Sequence, residues 1–288
     1  MGVMETFVVL TQKVREIAGR LFLDGEVMGV IGLCSEHGHV RPHLFTTADE
    51  LASLAQEPRY MLAPICRMIL SRSQDGKLGV VVRGCDERAL IEMAKLEQVD
   101  IDRLVLIGLA CSEAQARECV CARPYPRRID VGERVEGITA ADDERVRRLL
   151  EQDAGERLAF WRQEFARCIK CYGCRNVCPV CVCDECALEP PLTSPPPAGG
   201  IEGGWVERGQ IPPSLPFHLI RAYHIADKCV GCGACEAACP MDIPMTMLYA
   251  LLRERLRELF DYEPGLDVAQ RSPLTTTLEE TPLRCRMP

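Results

Sequence analysis

The chain has 288 residues, 47% of them hydrophobic and 26% charged, with a net charge of −8. That size supports one large or two small domains with real cores, while the acidic balance and 5% aromatic content exclude a basic or base-stacking nucleic-acid surface. No apolar run approaches the ~18 residues of a membrane span, and the N-terminus lacks the pattern of a signal peptide.

Residues 1–135 read as an α/β domain. "TFVVLTQKVREIAGRLF" has helical periodicity, and "EVMGVIGL" is a short apolar run bounded by polar residues. "CSEHGHVRPH" reads as a polar loop in which His37, His39 and His43 fall close together by chance. "TADELASLAQ" opens with a Thr/Asp start and predicts a helix. "KLGVVVRG" predicts a buried strand, "DERALIEMAKLEQ" a helix with acids in its first turn, and "DRLVLIGLA" another strand. Strands alternating with helices predict a parallel sheet, which binds ligands at the carboxyl ends of its strands, where Cys85 and Cys111 fall.

Residues 136–166 read as connecting helices, with a break expected near Gly155. Residues 167–262 read as a second, cysteine-rich domain holding a Pro/Gly-rich loop at 187–217. "PFHLIRAYHIAD" and "MTMLYALLRERLRELFDY" predict helices, and residues 263–288 an irregular C-terminal arm. "AGGIEGG" neither follows a strand nor matches a phosphate-binding pattern. No Ser-His-Asp order, H-E-x-x-H or P-loop is visible, so no acid–base or nucleophilic site is expected.

The 18 cysteines carry the chemistry. Clustered thiols in a chain without an export signal read as metal ligands in a reducing compartment, so a cytoplasmic location is expected. Cys168, Cys171, Cys174, Cys178 and Pro179 form one C-x2-C-x2-C-x3-C-P run; Cys229, Cys232, Cys235, Cys239 and Pro240 form a second. In this bacterial ferredoxin spacing three close thiolates bind one 4Fe-4S cube and the fourth serves the other cube. The expected sets are therefore Cys168, Cys171, Cys174 and Cys239 for one cluster, and Cys229, Cys232, Cys235 and Cys178 for the second. Tetrahedral zinc has no use for a third cysteine at the same step or for the proline. Gly173, Gly231 and Gly233 are expected to let the backbone curl round the cubes.

Cys181, Cys183 and Cys186 are either further metal ligands or free thiols beside the dicluster. In the first domain, Cys85 opens a helix, Cys111 ends a strand, and Cys119 and Cys121 follow. These four thiols either converge on a third cluster or are separately buried. Cys34 and Cys285 read as ordinary thiols.

"VVVRGCDERALIEMAKLEQVDIDRLVLIGLACS", "CVCARPYPRRIDVG" and "RCIKCYGCRNVCPVCVCDEC" resemble the coenzyme F420 hydrogenase/dehydrogenase beta subunit family, which includes formate dehydrogenase beta subunits. The resemblance covers about residues 25–260. It implies an electron-transfer subunit of a formate dehydrogenase, hydrogenase or heterodisulfide-reductase-type complex, with other redox subunits as partners. It also implies that Cys85, Cys111, Cys119 and Cys121 hold a proximal 4Fe-4S cluster beside an FAD. The Cys119-x-Cys121 pair is one residue shorter than the family's form, which makes Cys66 the substitute ligand. The family's glycine-rich flavin segment is not evident before "EVMGVIGL". Two other readings stand beside the electron-transfer subunit: a flavin module that itself reacts with a nicotinamide or deazaflavin, and a ferredoxin-like docking adaptor.

Overall fold

The computed structural model describes residues 3–72, 76–183, 186, 188, 211–213 and 215–274. Most of the 187–217 loop, the end of the C-terminal arm and Cys285 lie outside these residues. The chain divides into two compact units. The first comprises residues 1–139 with two later segments, 230–234 and 264–271; the second takes the remainder.

In the first unit, helix α1 (Val3–Leu23) precedes β1 (Gly29–Glu36) and β2 (His39–Phe45), and a two-residue strand β3 (Leu54–Ala55) follows. Then come α2 (Ala63–Leu70), β4 (Leu78–Val82), α3 (Gly84–Lys95), β5 (Leu104–Gly108) and α4 (Glu113–Cys119). β1, β4 and β5 run parallel, as the β/α alternation predicts, while β2 and β3 pair antiparallel with β1. The sheet is thus mixed.

Alternation along β4 separates two apolar layers. Leu78, Val80 and Val82 join Leu90 and Met93 of α3 and Cys66 of α2 on one side. Val81 joins Val14 and Ala18 of α1 on the other, together with Cys34. Period-2 burial of this kind is what a strand covered on both faces requires.

Two expectations here differ from the structure. "TADELASLAQ" forms only a 3-10 turn, Asp49–Ser53. The Glu50 carboxylate accepts from the Thr46 amide at 2.7 Å, and Leu54 leaves the turn to pair with Cys34 of β1. The histidine-bearing loop is a hairpin: His39 and His43 lie on β2, and the turn at His37 and Gly38 has positive φ at both residues, as a tight hairpin connection demands. Pro42 is tolerated because β2 is an edge strand.

In the second unit, the connecting segment forms two helices, α5 (Glu144–Glu151) and α6 (Ala154–Ala166). The break falls before Gly155, at Gln152 and Asp153. Asp153 accepts from the Glu156 amide at 2.9 Å, and Glu156 accepts from the Asp153 amide at 3.0 Å, a reciprocal cap that starts α6. Short helices α7 (Gly173–Asn176) and α9 (Ala234–Ala237) occur at matching places in the two cysteine runs. Longer helices α8 (Leu215–Ala226) and α10 (Met245–Phe260) each precede or follow the second run. Phe165, Ile225, Ile243, Met245 and Tyr249 form a core against which Cys168, Cys178, Cys181, Cys229, Cys235 and Cys239 pack. Among the described residues no helix is long and apolar enough to cross a membrane.

Candidate metal centres

The two cysteine runs bend alike. Positive φ occurs at Lys170 and Tyr172 in the first and at Gly231 and Gly233 in the second, the same steps after the first cysteine of each run. Gly173 is not one of these positions, so the first run takes its left-handed turns at two residues with side chains. Those side chains are anchored: the Tyr172 hydroxyl donates to the Leu188 carbonyl at 2.8 Å, and the Lys170 ammonium lies 5.3 Å from the Phe217 ring. The bend turns a backbone amide toward sulfur, with Lys170 N–H reaching Cys168 Sγ at 3.3 Å.

Cys168, Cys171, Cys174 and Cys239 line one cavity of about 640 Å³, open solvent included. Three come from the first run and the fourth from the second; Cys178 is not in the lining. Cys186 borders the same cavity, whereas Cys183 is exposed and Cys181 packs against the core. Burial pushes the Cys168 and Cys174 thiols up; the Lys170 amide and the Arg221 guanidinium respectively oppose it. Among the described residues no three His, Cys, Asp or Glu side chains gather tightly enough for a single metal ion. Four thiols spread around a void suit a cube with iron at separate corners, and a bound metal displaces the protons that burial retains.

Of the second set, Cys178, Cys229 and Cys235 share the core of the second unit, and Arg253 donates to Cys229 Sγ at 3.4 Å. Tyr249 lies among them: burial raises its hydroxyl well above the usual range, and these three thiols add to that while Arg221 opposes it. Cys232 belongs to the 230–234 segment of the first unit and packs on the Leu90 core.

In the first unit the charge of Cys121 acts on Cys85, Cys111 and Cys119. Gly84 and Gly108 stand where the loop after α4 crosses the sheet's carboxyl edge. A Cβ on Gly84 would come 2.3 Å from Tyr125 O, and one on Gly108 would come 1.9 Å from Arg128 O. Only bare backbone admits the loop so close. It is then stitched down: Gly108 N donates to Asp130 at 2.7 Å, Cys111 N to Pro124 O at 2.8 Å, and Arg127 N to Glu87 at 2.7 Å. Cys119 at the end of α4 and Cys121 just beyond it lead directly into this loop.

All four thiols are buried. Burial raises Cys85, Cys111 and Cys119, with Cys111 pushed up to about 11; Cys121 adds to all three. Three cations face the group. Arg59 donates to Cys119 Sγ, Arg88 to Cys121 Sγ at 3.7 Å, and Arg83 opposes the rise of Cys111. Four thiols that would become thiolates on binding iron, faced by three guanidiniums, fit an anionic iron–sulfur cluster better than an apolar core does. Cys66 instead lies in the apolar layer beneath α2, where burial and the Asp86 carboxyl raise it.

Sequence reasoning passed over these cations and, in the second unit, His218 and Arg221 of α8. Arg83 and Arg88 flank Cys85 in "VRGCDER", a signal legible beforehand. The cavity-lining pair is spaced one helical turn apart just ahead of the second run, a weaker signal.

The 4Fe-4S binding domain family matches residues 222–245, which hold Cys229, Cys232, Cys235 and Cys239. This chain is therefore an iron–sulfur protein, with an electron-transfer domain in its C-terminal half. It is 38% identical over 146 residues to the F420-dependent formate dehydrogenase subunit beta of Methanocaldococcus jannaschii, an alignment spanning 50% of this chain and 35% of that relative. It is 25% identical over 332 aligned positions to the F420-dependent formate dehydrogenase 1 subunit beta of Methanococcus maripaludis, spanning 78% and 82% respectively. The chain thus spans about a third of the first relative and most of the second.

Proposed function

We propose that this chain is the electron-relaying beta subunit of a formate dehydrogenase-type complex, working in the cytoplasm with three 4Fe-4S clusters. Cys168, Cys171, Cys174 and Cys239 hold the first, and Cys229, Cys232, Cys235 and Cys178 the second. Cys85, Cys111, Cys119 and Cys121 hold the third, an assignment that leaves Cys66 in the core. A bound 4Fe-4S cluster supplies reversible one-electron storage at a potential set by its protein surroundings. The chain's own residues do the rest: thiolates anchor, backbone curls exclude water, and arginines offset negative charge. The observation that carries the reading is the cavity lined by one crossed set of ferredoxin cysteines.

The names of both relatives point to an F420-handling partner, and formate chemistry needs a catalytic partner subunit, because no acid–base site is visible among the described residues. The test is anaerobic purification of the complex from its source, with iron, flavin and subunits measured together. About twelve iron atoms per chain and a co-purifying catalytic subunit are expected. A lone chain with about eight iron atoms would reduce the first unit to a docking platform. A stoichiometric flavin would make the chain a flavin module.

A further inference from the structure

Resting on the assignment of a cluster to Cys168, Cys171, Cys174 and Cys239, we infer that His218 donates a hydrogen bond from Nε2 to that cluster and so raises its reduction potential. His218 is 5% exposed and lines the cavity beside those four cysteines. Its Nε2 is buried without a partner among the described residues. A polar nitrogen in that condition is costly unless something in the cavity completes it.

The ring cannot turn away to find another partner. It stacks on Phe165 with centroids 4.0 Å apart and planes 8° apart, and it meets Phe217 edge-on at 5.1 Å and 84°. Neither phenyl ring accepts a conventional hydrogen bond. The thiolates and cluster sulfides that would fill the cavity are acceptors only, so they select the imidazole form with its proton on Nε2.

Arg221, one turn further along α8 and 4% exposed, lines the same cavity and donates to the Cys174 carbonyl at 2.6 Å. The two residues give the buried side of α8 a donor face toward the cysteines, while Leu219, Tyr223 and His224 are exposed. A hydrogen bond to cluster sulfur strengthens when the added electron makes that sulfur more negative. Donation therefore favours the reduced state and raises the potential. A histidine retained for shape alone would leave the potential where it is.

The test is an EPR-monitored redox titration of the anaerobic full-length chain in three variants. H218F keeps a ring to stack on Phe165 but has no N–H. With full iron content, one reduction step is expected to fall by the equivalent of a tenfold equilibrium change, about 59 mV for one electron. H218Q places an amide N–H at similar reach and should restore most of the shift, and H224F should leave all steps unmoved. Full iron with every potential unchanged in H218F overturns the inference and leaves the cluster assignment standing. Pulsed EPR of the wild-type protein carrying ¹⁵N-histidine decides the matter if H218F loses its clusters. A nitrogen coupling and an exchangeable proton at one reduced cluster are expected, and no coupling at any cluster overturns the inference. The cluster assignment itself fails separately, if C171A retains every cluster signal.

Discussion

Replacing Gly108 with alanine tests whether the loop after α4 assembles the third cluster site. The added methyl would sit 1.9 Å from Arg128 O and 2.9 Å from Pro126 Cγ. The nearer atom is backbone, so no rotamer change relieves the overlap, and the loop must withdraw by about 1.5 Å to reach ordinary contact. That movement breaks a ladder at the sheet's edge. Gly108 N donates to Asp130 at 2.7 Å, Asp130 N and Val131 N both donate to Gly108 O at 2.9 Å, and Ala110 N donates to Val131 O at 2.9 Å. With about 1 kcal/mol net for each bond lost and about 1 kcal/mol of residual strain, the expected cost is ~3–5 kcal/mol. Because Cys119 and Cys121 travel with the loop, G108A should also lose about four of about twelve iron atoms while the ferredoxin-type signals persist. Denaturant unfolding of the metal-free chain gives the first number, and iron analysis of the anaerobically reconstituted protein the second. A variant within about 1 kcal/mol of wild type, or one that keeps all its iron, would refute the loop's assembling role.

C171A should lose about four iron atoms per chain, yet change metal-free stability by less than about 0.5 kcal/mol, because Cys171 is exposed and its removal leaves no cavity; iron analysis beside a thermal melt checks both. Arg88 donates to Arg123 O at 2.9 Å, Val230 O at 3.3 Å and Cys121 Sγ at 3.7 Å. R88M should cost ~2–3 kcal/mol in unfolding experiments and lower one reduction step in a redox titration. Asp143 caps α5 by accepting from the Arg145 amide at 2.8 Å. D143A should therefore cost about 1 kcal/mol on chemical denaturation. Burial pushes the Asp143 carboxyl up, but the Arg145 side chain and amide outweigh it and hold the carboxyl below its ordinary value. A carboxyl lowered in the folded state contributes stability that is full above about pH 4 and lost as pH falls through the lower folded value. Acid titration of wild type against D143A should show that contribution disappear below about pH 4 in the wild type only.

What the sequence by itself determined is the chemistry that lies close along the chain. The repeated cysteine spacing specifies 4Fe-4S binding, because ligands three residues apart can wrap one face of a cluster wherever the run is placed. The strands at Leu78–Val82 and Leu104–Gly108 and the helices α1, α3, α8 and α10 follow from apolar periodicity, which is equally local. Signals failed where a distant partner decided the outcome. "TADELASLAQ" carries helix signals, yet Leu54 is worth more paired to β1, and the histidine segment becomes a strand only because β1 is there to receive it. Glycines supply the left-handed positions of the second cysteine run but not of the first, where Tyr172 and Lys170 take them and are held by side-chain contacts.

Only the tertiary structure shows how the remaining thiols are surrounded. Nothing in the spacing of Cys85, Cys111, Cys119 and Cys121 distinguishes convergence from four separate burials. Their proposed convergence depends on Gly84 and Gly108, which let one loop lie against the sheet's edge, an approach set by backbone atoms some twenty to forty residues apart in the chain. The same is true of Cys66, which is as cysteine-like in sequence as the others but is sealed in the apolar layer beneath α2. Close packing rather than residue type assigns such roles, because an interior admits each side chain at one place only.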